Sequence, residues 1–251
     1  MELTAEQITK NWESLKEIIE EHFTGNRKTH LLNLYNHFED RMITCPASGK
    51  DYYHGAYPGG YIAHVLNVIN FAIKLDKLWV EEGAVRDYDY ESLIFTTLNH
   101  DLGKIGDEEQ EYYVTHNQKW RKDRGEIYVI NDNIRYMTVP DRTLWLLQRY
   151  GIQYTQSEMI AIQLHDGMYD DGNKAYLVSY TESKQLRDTL PVILHHADMM
   201  ACRLEKNQWT EQQKENAESS FLVPRKNSKI KSTKLSEITH DFFNTHEKKK
   251  D

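Results

Sequence analysis

The sequence predicts an all-α, or mainly α, protein with one small β-hairpin. Apolar residues recur at intervals of three or four positions through most of the chain, which is the period of a helix. Capping residues, glycines and prolines separate these periodic stretches from one another. Only one short segment, near residue 130, combines β-branched and aromatic residues on both sides of a turn sequence.

Seven periodic stretches are predicted to be helices. The first begins after Thr4, whose hydroxyl can cap its first turn. The last is strongly apolar and has Pro191 in its first turn, where the missing N–H costs no helical hydrogen bond. In order, the predicted helices are Thr4–Phe23, about Thr29–Ile43, one that begins at Tyr61, one that ends near His100, one capped by Asp141 that ends near Tyr150, one capped by Thr155 or Ser157 that ends near Leu164, and Thr189–Leu204.

A polar segment after Gly106 contains the predicted hairpin. Ile127–Ile130 and Ile134–Met137 are short runs of strand-forming residues. Asn131-Asp132-Asn133 lies between them and is typical of a turn. We therefore expect an insertion at about residues 107–140 that carries two antiparallel strands.

The chain divides into three predicted parts. Residues 1–44 are helices that pack on the core, residues 45–205 form the main domain, and residues 206–251 form a polar C-terminal arm. Within this arm, residues 223–234 are basic and poor in apolar side chains, which is typical of a disordered or surface segment.

Bulk properties exclude several classes of protein. The net charge of −8 argues against a surface built to hold long nucleic acid, although a local basic patch is compatible with it. Cys45 and Cys202 are too few for a disulfide framework and lack metal-finger spacing. No apolar run approaches membrane-spanning length, and the N-terminus lacks the pattern of a signal peptide. We therefore expect a cytoplasmic protein without membrane contact.

His100 and Asp101 are neighbours at the end of an apolar helix. They cannot both face the same core, so either one of them hydrogen-bonds to the helix end or both bind one metal ion. Taken alone, His64 would be interpreted as a core histidine, and Asp198 could pair with an arginine. However, a carboxylate among apolar neighbours is costly to bury unless it is paired or metal-bound. Two imidazoles and two carboxylates suit Mn, Fe, Co, Ni or Zn better than Ca.

The order of these residues resembles a known signature. His64, HDLGK at residues 100–104 and Asp198 in LHHADMM resemble the H…HD…D pattern of the HD-superfamily metal-dependent phosphohydrolases. PASGKDYYHGAYPGGYIAH at residues 46–64 is similar to a segment of bacterial 3′-5′ exoribonucleases, which attach an HD domain to an N-terminal OB-fold. The resemblance covers about residues 45–205.

The resemblance implies an HD-domain helical bundle with one metal-dependent site. It implies catalytic roles for Asp101 and Lys104, with Lys104 facing a substrate phosphate, and it puts His54 and His165 beside the substrate. Simpler roles stay open, because Lys104 could be a solvated helix-end lysine, His54 could bond within its loop and His165 could cap its helix. The implied metal ligands are His64, His100, Asp101 and Asp198.

The chain departs from the family pattern in three places. The residues before Cys45 are helical in period and too few for an OB-fold. Where many relatives have a third histidine, this chain has Val139-Pro140-Asp141, and the usual paired histidines are replaced by His165-Asp166-Gly167. We therefore expect one tightly bound divalent ion. The candidate metals are Mn, Fe, Co, Ni, Zn and Mg.

These features favour hydrolysis of a phosphate ester or anhydride bond in a small nucleotide, as in a nucleotidase or a dNTP phosphohydrolase. The first alternative is a 3′-5′ exonuclease on single-stranded RNA or DNA, in which Lys119, Arg121 and the basic tail replace the grip of the OB-fold. The cluster Lys119-Trp120-Arg121-Lys122 with Arg124 is also compatible with a solvated loop. The second is a non-catalytic nucleotide-binding regulator. One of His195 and His196 is expected to pack and the other to touch the site. A homo-oligomer is compatible with the sequence.

Overall fold

The computed structural model of the protein describes residues 3–179 and 181–219. Within these ranges it is mainly α-helical, with one small antiparallel sheet, which confirms the predicted fold class. The helices of the described residues are α1 (Ala5–His22), α2 (Gly25–His37), α3 (Glu39–Thr44), α4 (Gly60–Glu81), α5 (Tyr90–Asn99), α6 (Lys119–Lys122), α7 (Val139–Arg149), α8 (Gln156–Leu164), α9 (Lys174–Leu177) and α10 (Leu190–Ser219). The strands are β1 (Tyr113–Thr115) and β2 (Tyr128–Ile130).

The N-terminal helices differ in one respect from the prediction. Thr4 caps α1 as expected, and its hydroxyl and the Gln7 side chain form a reciprocal capping box. The predicted helix Thr29–Ile43 begins earlier, at Gly25, and is divided at Phe38 into α2 and α3. Phe38 has φ −102° and ψ 16°, outside the helical region, and its ring is buried. The kink lets this aromatic side chain enter the core.

Helices α4, α5, α8 and α10 share one hydrophobic core. Their small and branched side chains interlock, and the aromatic rings of Phe71, Tyr88 and Tyr90 pack against its edge. The buried residues of this core are Val68, Ala72, Leu93, Ala161, Leu190, Ile193, Leu194, Ala197 and Ala201. Helices α4, α5 and α10 carry, or are directly followed by, the predicted metal ligands, and α8 is directly followed by His165, so the core holds those side chains in place.

The hairpin prediction was half wrong. Strand β2 forms as predicted, but its partner is β1, with Val114 opposite Val129. The predicted partner, Ile134–Met137, is not a strand. The side chain of Asn131 accepts the N–H of Asn133 at 3.0 Å, which turns the chain away from β2.

Three helix boundaries also refine the prediction. Thr138, and not Asp141, caps α7 by accepting the Asp141 N–H at 3.2 Å. Thr155, and not Ser157, caps α8 in a capping box with Glu158. Helix α10 continues well beyond its predicted end at Leu204.

Residues up to Gln212 form one compact unit, and Gln213–Asp251 form a second unit that is described only as far as Ser219. The basic segment at 223–234 lies outside the described residues. The predicted part boundaries at residues 44 and 205 stay predictions. No helix in the described part of the chain is both long and apolar enough to cross a membrane.

Candidate metal centre

Three helices bring the predicted metal ligands together, and a fourth adds His165. His64 lies in the second turn of α4, His100 and Asp101 directly follow α5, and Asp198 lies in α10. All four side chains are buried. His165 directly follows α8 and is buried at the same place. The ends of α5 and α8 and the inner faces of α4 and α10 therefore build a single cluster.

The distances within the cluster are short. Nε2 of His64 lies 3.0 Å from Oδ1 of Asp198 and 3.6 Å from Oδ2 of Asp101. Nε2 of His100 lies 3.5 Å from the same oxygen of Asp101 and 3.9 Å from Asp198. In His64, His100 and Asp101, one ligand atom of each residue lies within 4.8 Å of those of the other two.

The opposite ring nitrogens fix the orientation of the imidazoles. Nδ1 of His100 lies 2.8 Å from the carbonyl oxygen of Thr97, and Nδ1 of His165 lies 2.7 Å from that of Ile162. A carbonyl can only accept, so each Nδ1 carries the proton and donates. Nδ1 of His64 donates in the same way to the Glu205 carboxylate at 3.1 Å.

The inward-facing nitrogens have no hydrogen-bond partner. Nε2 of His64 and Nε2 of His100 are buried and make no hydrogen bond in the described structure. An imidazole with a protonated Nδ1 presents a lone pair at Nε2 unless that nitrogen binds a second proton or a cation, and here Nε2 faces carboxylate oxygens. Such an arrangement is unfavourable unless positive charge lies between the groups. The cluster could therefore hold a metal ion, as the sequence predicted for this residue set.

Protons and a cation would compete for this negative cluster. Burial disfavours the charged form of His64, but Glu205 and Asp198 raise its pKa to about 10. Burial acts the same way on His165, yet Asp166 and Asp101 raise its pKa to about 9. Metal binding through Nε2 would displace these protons, since an imidazole coordinates only when that nitrogen is deprotonated.

Glu205 is a member of the site that the sequence did not reveal. Its carboxylate accepts from His64 Nδ1 and from the Asn67 side chain at 2.7 Å, and only 10 % of its side chain is exposed. Burial would raise the pKa of Glu205, but His64 holds it below its ordinary value. The sequence feature that could have identified Glu205 is its position seven residues after Asp198, two turns along the same face of α10.

His165 approaches Oδ1 of Asp101, whereas His64 and His100 approach Oδ2. Its Nε2 is 3.4 Å from Oδ1 of Asp101 and 3.6 Å from Oδ2 of Asp166. His165, Asp166 and Asp198 form a second group whose ligand atoms lie within 4.8 Å of one another. Asp166 thus joins the site at a position interpreted above as the loss of a histidine. The expected single ion stays a prediction, which a metal titration would test.

Lys104 contacts the cluster directly. Its Nζ lies 2.6 Å from Oδ2 of Asp101. Burial would lower the pKa of Lys104, but Asp101 raises it well above its ordinary value, so the ammonium charge is retained. Beyond this contact Lys104 lines a cavity of about 360 Å³ together with Arg41 and Tyr113. Its contact with a substrate phosphate stays a prediction.

His54 lies over His64, with the ring centroids 4.8 Å apart. Burial, the charge of His64 and Lys104 lower the pKa of His54 to about 3, so its ring is neutral. The glycine-rich loop permits this position, because a Cβ on Gly60 would collide with the backbone of Gly55. Nε2 of His54 also lies 3.6 Å from the sulfur of Cys202.

His195 and His196 have different environments. The Nδ1–H of His195 donates to the carbonyl oxygen of His165 at 2.7 Å, since a carbonyl can only accept. Its ring fills the space beside Gly167, whose φ of +56° also favours glycine. His196 is exposed and bonds to the Val192 carbonyl of its own helix. His195 is therefore the member of the pair that borders the site.

A cavity of about 500 Å³ opens beside the cluster. It is lined by His54, His165 and Asp198 and also by the cations Arg203 and Lys206. This volume is within the range of small-ligand pockets. Two of the three residues predicted to contact substrate, His54 and His165, thus line one cavity, and Lys104 does not.

No protein-family model, curated protein or solved structure matches this chain. The function therefore has to be argued from the geometry of the site and from the sequence motifs.

Proposed function

We propose that this protein is an HD-type metal-dependent phosphohydrolase that cleaves a phosphate ester or anhydride bond of a small nucleotide. The observation that carries the proposal is the pair of buried Nε2 atoms, on His64 and His100, that face carboxylates without a hydrogen bond. The H…HD…D order of the ligands supports the same family. A nearby cavity of about 500 Å³ is large enough for a nucleotide.

A few side chains would bind the metal, position its ligands and contact the substrate. His64, His100, Asp101 and Asp198 would hold a divalent ion from the set Mn, Fe, Co, Ni, Zn and Mg. Such an ion, when bound, lowers the pKa of water and offsets negative charge on phosphoryl oxygens. Lys104 would orient Asp101 through its 2.6 Å contact and add positive charge for the phosphate. His54 and His165 would line the substrate's path.

Turnover of nucleotides tests this proposal. The purified protein, stripped with a chelator and reloaded with Mn²⁺ or Co²⁺, should release phosphate or pyrophosphate from at least one member of a panel of ribo- and deoxynucleoside mono-, di- and triphosphates. The chelated protein should be inactive. If the reloaded protein binds metal but leaves the whole panel unchanged, the nucleotidase proposal is wrong.

A second candidate is a 3′-5′ exonuclease on single-stranded RNA or DNA. Two exposed aromatic rings lie under cations: Lys50 lies 5.7 Å from the ring of Tyr53, which lines the cavity, and Arg121 lies 4.9 Å from that of Trp120. Such pairs are the usual platform for unpaired bases. End-labelled single-stranded RNA and DNA should be shortened stepwise under this candidate, with binding that weakens in salt.

The third candidate is a non-catalytic nucleotide-binding regulator. It would bind a nucleotide with micromolar or tighter affinity and release no product. Calorimetric titration of the metal-loaded protein beside the turnover assay distinguishes it, because binding without turnover favours this candidate alone.

A further inference from the structure

We propose that the cavity beside the metal cluster binds a second phosphate of the substrate through Arg203 and Lys206. This inference rests on the proposed function, since it concerns the nucleotide that the phosphohydrolase would cleave. It narrows the substrate class to nucleotides with at least two phosphate groups.

One face of α10 leads from the metal cluster to Lys206. Asp198, Cys202 and Lys206 follow one another at intervals of four residues and therefore lie along one face. Asp198 and Lys206 are about 12 Å apart along the axis at the helical rise of about 1.5 Å per residue. Both line the same cavity, and so does Arg203. Lys206 thus lies away from Asp198, beside a different part of any ligand.

The cavity is lined by charges of both signs. Asp166 and Asp198 belong to the metal cluster, where a bound cation would offset their charge. Arg203 and Lys206 line the same cavity, and among the described residues neither has a carboxylate partner. Two unpaired cations that share a cavity favour an anionic group, and phosphate is the anion that a nucleotide offers.

Aromatic side chains complete the cavity. The Tyr169 hydroxyl accepts a hydrogen bond from Nη2 of Arg203 at 3.2 Å, which holds the guanidinium at the cavity. Tyr53 lines the same cavity and has 48 % of its surface exposed. An exposed ring beside a phosphate-binding end suits a nucleobase or sugar. The volume of about 500 Å³ fits one nucleotide better than a strand.

A comparison of AMP, ADP and adenosine 3′,5′-bisphosphate tests the proposal. The Mn²⁺-loaded protein should use at least one of the two doubly phosphorylated compounds with a kcat/KM about tenfold above that for AMP. A preference for ADP would mean that the second phosphate is in the anhydride chain, whereas a preference for the bisphosphate would place it across the sugar. Equal kcat/KM for all three compounds would overturn the proposal.

Variants assign the preference to the two cations. Arg203→Ala and Lys206→Ala should each bring the kcat/KM ratio of the preferred compound to AMP down by about tenfold, towards one. Tyr169→Phe should lower the ratio less, since it removes only the support of Arg203. Lys10→Ala is the matched control, because Lys10 is an exposed lysine on α1 and should leave the ratio unchanged.

A binding measurement separates failure of this proposal from failure of the proposed function. If the wild-type protein cleaves none of these nucleotides, calorimetry with ADP and AMP still measures the second-phosphate site. Tighter binding of ADP that is lost in Lys206→Ala would support the site, and equal affinity for both would overturn it. Both substituted residues are exposed, so we expect these variants to fold.

Discussion

Opposite ends of the same helices carry two kinds of buried polar cluster. At one end, His100 follows α5 and His165 follows α8 at the candidate metal centre. At the other end, Ser92 lies in the first turn of α5 and Glu158 in the first turn of α8. Both clusters contain a fully buried carboxylate, and both lie against the same hydrophobic core. Burial of charge therefore does not distinguish a functional site from a structural one in this protein.

The two clusters differ in the balance of donors and acceptors. Glu158 accepts from Arg27 at 2.8 Å, from the Ser92 hydroxyl at 2.9 Å and from the Thr155 N–H at 2.7 Å. Asp76 near the end of α4 is similarly paired with Arg86 and Tyr88. These carboxylates have the donors that burial requires. They need no ion, and each ties together elements distant in sequence.

At the candidate metal centre, donors and acceptors do not match. Nε2 of His64 and of His100 lacks a hydrogen bond while carboxylate oxygens lie within 4 Å. The unbalanced cluster should control activity, whereas the balanced cluster should control stability. Three substitutions test this comparison.

The first substitution, Asp101→Ala, should lower kcat/KM by at least about a thousandfold. It removes a ligand shared by the His64, His100 and His165 sides of the cluster, and a metal contributes several kcal/mol of charge stabilisation in the transition state. Metal content by mass spectrometry should fall with activity. The exposed Asp132 is the control, and Asp132→Ala should change neither. Normal metal content in Asp101→Ala would contradict the proposed centre.

The second substitution, Arg27→Met, should reduce the free energy of unfolding by about 3 kcal/mol, because it leaves the buried Glu158 carboxylate without its cation. Denaturation with urea measures this loss. Activity per folded molecule should stay at the wild-type level. In the neighbouring control, Lys28→Met, the partner Glu20 is exposed, so the loss should be below about 1 kcal/mol. A smaller loss for Arg27→Met than for Lys28→Met would refute the structural role.

The third substitution, Glu205→Gln, should weaken metal binding by about tenfold, the lower end of the effect expected for a residue that orients a ligand. The amide oxygen can still accept from Nδ1 of His64, but the negative charge that strengthens the imidazole as a ligand is lost. Titration with Mn²⁺ followed by calorimetry measures the affinity. Glu211→Gln, an exposed change on the same helix, should leave it unaltered. Unchanged affinity in Glu205→Gln would show that Glu205 does not support the site.

Local patterns were sufficient to predict the fold class. Helical periodicity, the Thr4 cap and Pro191 in a first turn are properties of neighbouring residues, and α1, α4 and α10 begin close to their predicted starts. The strand Tyr128–Ile130 was also predicted. The partner of this strand was predicted wrongly. Strand pairing depends on the path of the chain between two strands, and after Tyr128–Ile130 the side chain of Asn131 turns the chain so that Ile134–Met137 does not pair with it.

Residue type and order were likewise sufficient to select His64, His100, Asp101 and Asp198 as a group. The chemistry of imidazoles and carboxylates and the motif order are both written in the chain. Whether these residues bind a metal is a question for the titration above. Their proximity, in contrast, required the packing of α4, α5 and α10 on one core.

Tertiary structure alone supplied the partners of those residues. Glu205 is ordinary in sequence, and it enters the site only because α10 packs against α4 and brings it to Nδ1 of His64. Asp166 is brought to His165 and Asp198 in the same way. The sequence also could not predict that Nε2 of His64 and of His100 lacks a hydrogen bond, since a hydrogen bond depends on distances and angles between distant segments. Sequence thus specified which groups are present, and three-dimensional packing specified which of them lack a partner.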